Sequence, residues 1–564
     1  MSRNWAFLVF AAAACFFAAC FLYPIAASLQ GAMFDQEGKF TLGYIAEIFR
    51  NPIYVEGLIN SFLLAVCSTA LCCVIAIPLA VLADRFSFPG KTFVSALILV
   101  PMILPPFVGA IGIRQILGQQ GVLNAVLVRI GLMDPDSPLD WLGQGKFWGV
   151  VILNALHLYP ILYLNLAAAL ANIDPAMEEA AENLGCTGFR KFRRITLPLV
   201  MPGLFAGGTI VFIWAFTELG VPLMTDYTRV TSVQIFQGIK EIGGNPMPYA
   251  LVVVMLFFSA GLYGLTKLLF GRTAHAMTSK GGTGAGPRRA RPWEAALCIS
   301  AFAIVAFLSI LPHLGVVFVS LSDDWYASIL PREWTLDHFR AALGHELTVP
   351  AIRNSLRYAS LATLVDVVLG IAIAYVVVRT SLPGRHLLDA MAMLPLAVPG
   401  LVLAFGYLAM TQKGQWFDFL DPTANPTALL VIAYSVRRMP YVVRSAVAGF
   451  QQTSVSLEEA AQNLGATPLR ALRRITLPLI AANLLAGGIL AFSFAMLEVS
   501  DSLLLAQKEE HYPITKAIFE LTQLLGEGRY AASALGVWAM AFLGATLLCV
   551  TILLGKKLGT LFRA

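Results

Sequence analysis

Charge is what this sequence is short of. Only 13% of its 564 residues are Asp, Glu, Lys or Arg, about half the share of a soluble domain. Hydrophobic residues make up 58% of the chain and its mean hydropathy is +0.74, so most of its length belongs in a lipid bilayer. The eight cysteines include no Cys-x-x-Cys pair. Cys15, Cys20, Cys67, Cys72, Cys73, Cys298 and Cys549 lie in apolar runs, where a thiol acts as a small hydrophobe. Neither a disulfide framework nor a metal cluster is expected. The seven histidines are scattered, with no His-Glu-x-x-His and no Ser-His-Asp arrangement. Catalytic residues and a cofactor are therefore not expected. Gly90-Lys91-Thr92 has the ending of a phosphate-binding loop, but Arg85 stands where that loop needs its first Gly. The chain should neither bind nor hydrolyse ATP. A net charge of +6 without an aromatic-basic platform is no sign of nucleic-acid binding, because cytoplasmic loops of membrane proteins collect Lys and Arg.

Long apolar runs take the place of these missing features. The sequence predicts an all-α membrane protein with about 12 transmembrane helices. Six lie at about 5–27, 60–83, 92–116, 147–170, 199–219 and 249–270. Six more lie at about 293–320, 355–378, 387–410, 428–450, 479–494 and 531–554. The first run is long enough to span and lacks a convincing small-residue cleavage site, so it reads as a retained helix. Pro101, Pro105 and Pro106 break the third run and place it inside the bundle, where neighbours satisfy the freed carbonyls. Segments 118–146 and 220–248 read as external loops. The Gly-rich, basic stretch 272–292 reads as a flexible cytoplasmic linker between two halves at 1–271 and 293–564.

The halves repeat one another. Asn60-Ser61, Pro89-Gly90 and Pro101 recur 294 residues later as Asn354-Ser355, Pro383-Gly384 and Pro395. Pro160 and Ala206-Gly207-Gly208 recur 280 residues later as Pro440 and Ala486-Gly487-Gly488. Six spans per half give both the same orientation, related by a pseudo-two-fold along the membrane normal. Arg85, Lys91, Arg190, Arg193, Arg379, Arg470 and Lys556 then crowd one side, while Asp134, Asp136, Asp323 and Asp324 lie on the other. This bias puts both termini in the cytoplasm.

The strongest repeat is a polar island. Glu178 to Pro198 reads EEAAENLGCTGFRKFRRITLP, and Glu458 to Pro478 reads EEAAQNLGATPLRALRRITLP. Each predicts a short helix, a turn at Gly185 or Gly465, and an Arg-rich helix that Pro198 or Pro478 ends. Glu179-Ala180-Ala181, Gly185 and Ile195-Thr196-Leu197-Pro198 match a known signature without departure, as do Glu459-Ala460-Ala461, Gly465 and Ile475-Thr476-Leu477-Pro478. The pattern resembles the EAA loop of ABC importer permeases. Two such loops in one chain resemble the fused double permeases of the ferric-iron, 2-aminoethylphosphonate and thiamine type. The resemblance implies coupling helices seated in two copies of a cytoplasmic ATPase subunit, with a periplasmic or lipid-anchored solute-binding protein docking outside. It implies alternating access in a bacterial inner membrane, driven by ATP hydrolysed on the separate subunit. Glu179 and Glu459 would be polar contacts or helix-end charges at that interface. An ion-gradient-driven secondary transporter is the competing class, and it leaves the twin loops without a role.

Four ionisable residues at membrane depth are pathway candidates, since such groups are costly in lipid. Glu218 and Glu498 follow each loop's Pro by 20 residues, roughly 30 Å along a helix and near the outer face, where two roles are open to them: lining the pathway, or structural hydrogen bonding at the interface between the halves. Arg437 lies near mid-membrane, and its counterpart in the first half is His157. With Arg438 and Arg444 it resembles the Arg-containing tenth span of ferric-type permeases. Two roles are open to the arginines: pairing with carboxylates such as Asp366, or contact with an anionic solute. The glutamates suit a cation and the arginines an anion or a charged chelate. Ferric iron is the first expectation for cargo, with 2-aminoethylphosphonate or thiamine next.

Overall fold

The computed structural model describes residues 3–554 apart from 36, 103, 144–145, 242–243, 271–286 and 525. In a chain this apolar, backbone groups must find partners within their own segment, and helices do that. The first half contains α1 (Ala6–Met33), α2 (Pro52–Arg85), α3 (Lys91–Leu97), α4 (Pro106–Leu117), α5 (Phe147–Ala171) and α6 (Pro175–Asn183). It continues with α7 (Gly188–Phe216), α8 (Gly220–Met224), α9 (Thr231–Gln237) and α10 (Met247–Phe270). The second half repeats this order ten labels on. It holds α11 (Pro292–Leu321), α12 (Thr348–Arg379), α13 (Arg385–Met393), α14 (Gly400–Met410) and α15 (Thr427–Gln452). Then come α16 (Val455–Asn463), α17 (Pro468–Met496), α18 (Ser500–Leu505), α19 (Ile514–Gln523) and α20 (Gly528–Leu554).

Nine of these helices are long and apolar enough to cross a membrane, and two bent pairs, α3 with α4 and α13 with α14, add two more spans. Helix α15 carries Arg437, Arg438 and Arg444, which removes it from the apolar set, yet it packs along α12 and α17 inside the bundle. With it, each half has six. The second-half run at 387–410, read from the sequence as one span, breaks at 397–399 and bends by 101°. Pro395 and Pro399 remove backbone donors there. The first-half pair bends by 95° at Pro105-Pro106.

Segment 220–248 is not the external loop expected. Helices α8 and α9 fold back into the bundle, with Val221, Val233 and Ile235 fully buried. The repeated Asn-Ser pairs explain how. Ser61 Oγ accepts a hydrogen bond from Thr231 N at 2.9 Å at the start of α9, and Ser355 Oγ accepts from Ile514 N at 2.7 Å at the start of α19. Asn60 and Asn354 donate to the Arg229 and Glu510 carbonyls beside them. Loop 118–146 likewise contains a helix, Val122–Arg129.

Each half lends its first helix to the other. Helix α1 lies between α10 and the second-half α14, and α11 lies between α20 and the first-half α4. At these crossings a glycine lets the facing helix's backbone come close. A Cβ on Gly112 would sit 1.7 Å from Pro312 O, and one on Gly406 would sit 2.6 Å from Pro24 O. The described end of the linker region also ties the halves. Strand β1 (Phe86–Ser87), at the α2–α3 turn, pairs in parallel with β2 (Arg288–Arg289), just before α11. Arg288 stacks on the Phe86 ring at 5.0 Å and bonds Glu294 at 2.6 Å. Residues 271–286 of the expected linker lie outside the described residues.

Gly112→Ala and Gly406→Ala should each destabilise the bundle by about 1–3 kcal/mol, since neither backbone neighbour can move aside. Gly208→Ala, whose Cβ would meet nothing nearer than 4.0 Å, should be neutral. Thermal unfolding of the detergent-solubilised chain measures all three; equal melting points would dismiss the close approach as a constraint.

Candidate functional site: twin polar loops and a charged cavity

The two loops are built alike. Asp174 Oδ1 caps α6 by accepting from Ala176 N at 3.0 Å, and Ser454 Oγ does the same for α16 from Ser456 N at 3.3 Å. Each helix ends on a left-handed glycine, Gly185 at φ +76° and Gly465 at φ +87°. Cys186 N bonds Ala181 O and Ala466 N bonds Ala461 O, closing the same turn in both copies. Glu179, Ala180, Glu459 and Ala460 are exposed, whereas Ala181 is buried and Ala461 half-buried.

Pro198 and Pro478 do not end a helix, contrary to the expectation from sequence. A five-residue π turn, Phe192–Thr196 or Leu472–Thr476, carries the chain straight into α7 or α17. The wider turn moves the carbonyl that the proline ring would otherwise strike, so the helix passes through. The Arg-rich part of each loop and the span behind it are one continuous helix.

The anchors of these loops are residues the sequence reading passed over. Glu178 accepts from Thr196 Oγ1 at 2.6 Å and from Lys191 Nζ at 3.0 Å. Glu458 accepts from Thr476 Oγ1 at 3.0 Å and from Arg379 Nε at 3.0 Å. Both Glu-Thr pairs stand 280 residues apart, inside the repeat already visible in the sequence. The cation is what changes: Lys191 has Ala471 as its counterpart, and Arg379 has Arg85. Burial raises the Glu178 pKa, but the hydrogen bonds from Thr196 and Lys191 and the Lys191 charge outweigh it, and the net shift is downward.

The second site is a cavity of about 200 Å³ between the halves, bordered by His157, Glu218, Arg437, Arg438 and Glu498. All four pathway candidates meet here. Glu498 is bonded by Arg437 Nη1 and Arg438 Nη2, and Arg437 also reaches Asp501 Oδ2 at 3.3 Å. Glu498 therefore sits level with Arg437, two residues beyond the end of α17 at Met496. Asp366 is not the partner of these arginines. Its Oδ1 accepts from Ser435 Oγ at 2.6 Å, one turn from Arg438 on α15.

The same position has a different fate in the first half. Leu158 stands for Arg438 and His157 for Arg437, so no guanidinium draws Glu218 across. Its carboxylate turns back to accept from Val221 N at 3.2 Å at the start of α8. His157 Nδ1–H donates to Pro101 O at 2.7 Å, at the break below α4. Asp501, missed in the sequence, was visible as a polar residue three positions after Glu498. The cavity has charges of both signs for holding a solute.

A two-half helical bundle with paired rigid loops on one face and a charged cavity between the halves is a membrane transport subunit. The chain belongs to the family of binding-protein-dependent transport system inner membrane components, whose pattern matches residues 76–275 and 366–559. It is 27% identical over 470 residues to the ferric transport system permease protein FbpB of Actinobacillus pleuropneumoniae, covering 81% of this chain and 64% of that one. It is 24% identical over 497 residues to the Fe(3+)-transport system permease protein FbpB 2 of Haemophilus influenzae, covering 86% and 87%. A Salmonella typhimurium protein named for 2-aminoethylphosphonate transport is 24% identical over 258 residues, 45% of this chain and 89% of that one. The chain thus spans less than two thirds of the Actinobacillus relative's length.

Glu498→Gln should cost about 3–5 kcal/mol, because two buried guanidiniums lose their partner. Glu218→Gln, which gives up only a bond from backbone N–H, should cost about 1 kcal/mol. Chemical unfolding of the two variants side by side checks the order, and equal losses would mean Glu498 is not the arginines' main partner. The downward shift at Glu178 means its bonds stabilise the loop fully above the ordinary glutamate value of about 4.3. That contribution is lost as pH falls through the lower folded value. Amide exchange in 176–185 should therefore speed up below about pH 4, and Glu178→Gln should abolish the dependence.

Proposed function

We propose that this chain is the membrane-spanning subunit of a bacterial ABC importer that carries ferric iron into the cytoplasm. One observation carries the coupling reading. Leu184 and Leu464 are 88% and 90% exposed at the loop tips, and Phe189 and Leu469 are 76% and 73% exposed beside them. Apolar side chains held out on a rigid helical turn, in the same place in each half, are suited to a cleft in a partner subunit. The partners are two copies of a cytoplasmic ATPase subunit, one per loop, and a periplasmic or lipid-anchored solute-binding protein. Because each loop is continuous with α7 or α17, closure of the ATPase pair would turn those spans and open the cavity between them. Both termini lie in the cytoplasm with the basic loops. The halves are 1–271 and 293–564, joined by a linker at 272–292 that is anchored at Arg288–Arg289.

Iron is supported by the two ferric relatives, which match most of this chain. A second reading, 2-aminoethylphosphonate, is favoured by the arginine pair and by the Salmonella relative. Leu184→Asp with Leu464→Asp should leave the bundle folded and abolish co-purification of the ATPase subunit. Retained binding would sink the loop assignment. Competitive uptake of labelled ferric iron against 2-aminoethylphosphonate, in cells lacking other routes, decides the cargo.

A further inference from the structure

The cavity between the halves has a larger neighbour. A second cavity of about 990 Å³, bordered by Gln237, Tyr249, Lys413, Leu504 and Lys516, lies on the side away from the coupling loops. Helix α18 stands between the two: Ser500 borders the smaller, while Leu503 and Leu504 border the larger. Along α14, Leu401 faces one and Leu408 the other, a separation of about 10 Å. The short helix is a partition, buried from Asp501 to Leu505, and three polar contacts from other helices hold it and the turn before it. Asp501 at its start reaches Arg437, Ser502 Oγ meets Tyr434 Oη at 2.7 Å, and the Glu498 carbonyl accepts from Thr515 Oγ1 at 2.7 Å. In the first half α8 carries Val221 where α18 carries Asp501, so only one partition is fastened by charge.

We propose that Arg437 and Arg438 form a single transit site for anionic oxygens, and that α18 is the door that uncovers it. This rests on the importer reading only for the direction of flow. The two arginines belong to α15, which is gripped by α12 and α17, and Arg438 is further held over the Phe494 ring at 5.5 Å. Their carboxylate partners, Glu498 and Asp501, flank the unwound segment that leads into α18. When α18 moves, the carboxylates leave with it and the guanidiniums stay. Bare guanidiniums in a low-dielectric cavity are costly unless another anion takes the carboxylates' place. A planar guanidinium pair accepts carboxylate or phosphate oxygens in two-pronged fashion. An incoming oxyanion, free or as the ligand shell of a metal, therefore lowers the cost of opening, and a bare cation does not. Passage and binding are coupled through one exchange of partners at Arg437.

The test uses the complete transporter in spheroplasts, whose outer face alone meets a membrane-impermeant maleimide. Ser493 borders the smaller cavity, and its Oγ has no hydrogen-bond partner, so Ser493→Cys is a mild probe. No cysteine borders either cavity, and the native ones are replaced by Ser or Ala. Labelling of Ser493→Cys should be slow, and adding Asp501→Asn should speed it about tenfold or more. Asp501→Glu, which keeps the charge, should restore slow labelling and so separates an opened door from a misfolded one. In the Asp501→Asn background, external citrate or inorganic phosphate should slow labelling again, and Arg437→Gln with Arg438→Gln should remove that protection. Protection by ferric citrate but not by citrate alone assigns the site to the chelated metal; protection by both assigns it to the oxyanion itself. Unchanged labelling in Asp501→Asn, or protection that survives loss of both arginines, overturns the proposal. None of these readouts needs iron uptake, so a wrong cargo would leave the door and its site standing.

Discussion

Arg437 and Arg438 lie on a helix that runs through the middle of the bundle, and an uncompensated arginine in hydrocarbon costs at least ~2.5–3.5 kcal/mol. Helix α15 carries this charge at its centre, and the chain leaving α17 unwinds and delivers Glu498 and Asp501 to the two guanidiniums. The first half has the same break before a short helix, so the backbone plan is shared and the charge pairing is what the second half adds. In the first half the matching helix carries His157 and Leu158, Val221 stands for Asp501, and Glu218 is left to cap its own following helix. Two halves with one fold thus differ at their centre because these three residues differ.

The bundle around that centre is interlocked. Each half surrenders its first helix to the other, and the crossing points bring Gly112 and Gly406 against the Pro312 and Pro24 carbonyls. A glycine without a Cβ allows the facing helix's carbonyl to come near, so each crossing is tight without side chains. A backbone pairing also joins the halves where β2 adds to β1 and clamps the entrance of α11 to the first half. Neither half can rotate far without dragging a helix of the other.

At the loops, rigidity and exposure are solved together. A glutamate, half-buried in the first loop and buried in the second, and a buried threonine tie the start of each loop to its π turn, and a cation from a different element completes the tie in each half. Lys191 comes from the loop itself and Arg379 from the end of α12. With the inner face so fastened, Leu184, Phe189, Leu464 and Leu469 can stay in solvent without collapsing the turn.

Much of this was legible in the chain alone. Hydropathy, the repeat and the Glu-Ala-Ala…Gly…Leu-Pro pattern carry local information: where helices run, where a left-handed glycine must sit, and that two halves share one plan. These follow from periodicity and backbone sterics, which neighbouring residues decide among themselves. Rules of that kind misjudged Pro198 and Pro478, because a π turn is selected by the helix continuing beyond it. They also misjudged 220–248 as a loop, since its burial depends on Ser61 and other groups more than a hundred residues away. The partner of Arg437 belongs to the same class. Asp366, Glu498 and Asp501 were all within the sequence, and only the packing of α12, α15 and α17 decided which carboxylates face the guanidiniums. Charge at membrane depth is announced by composition, but its pairing is a property of three-dimensional distance.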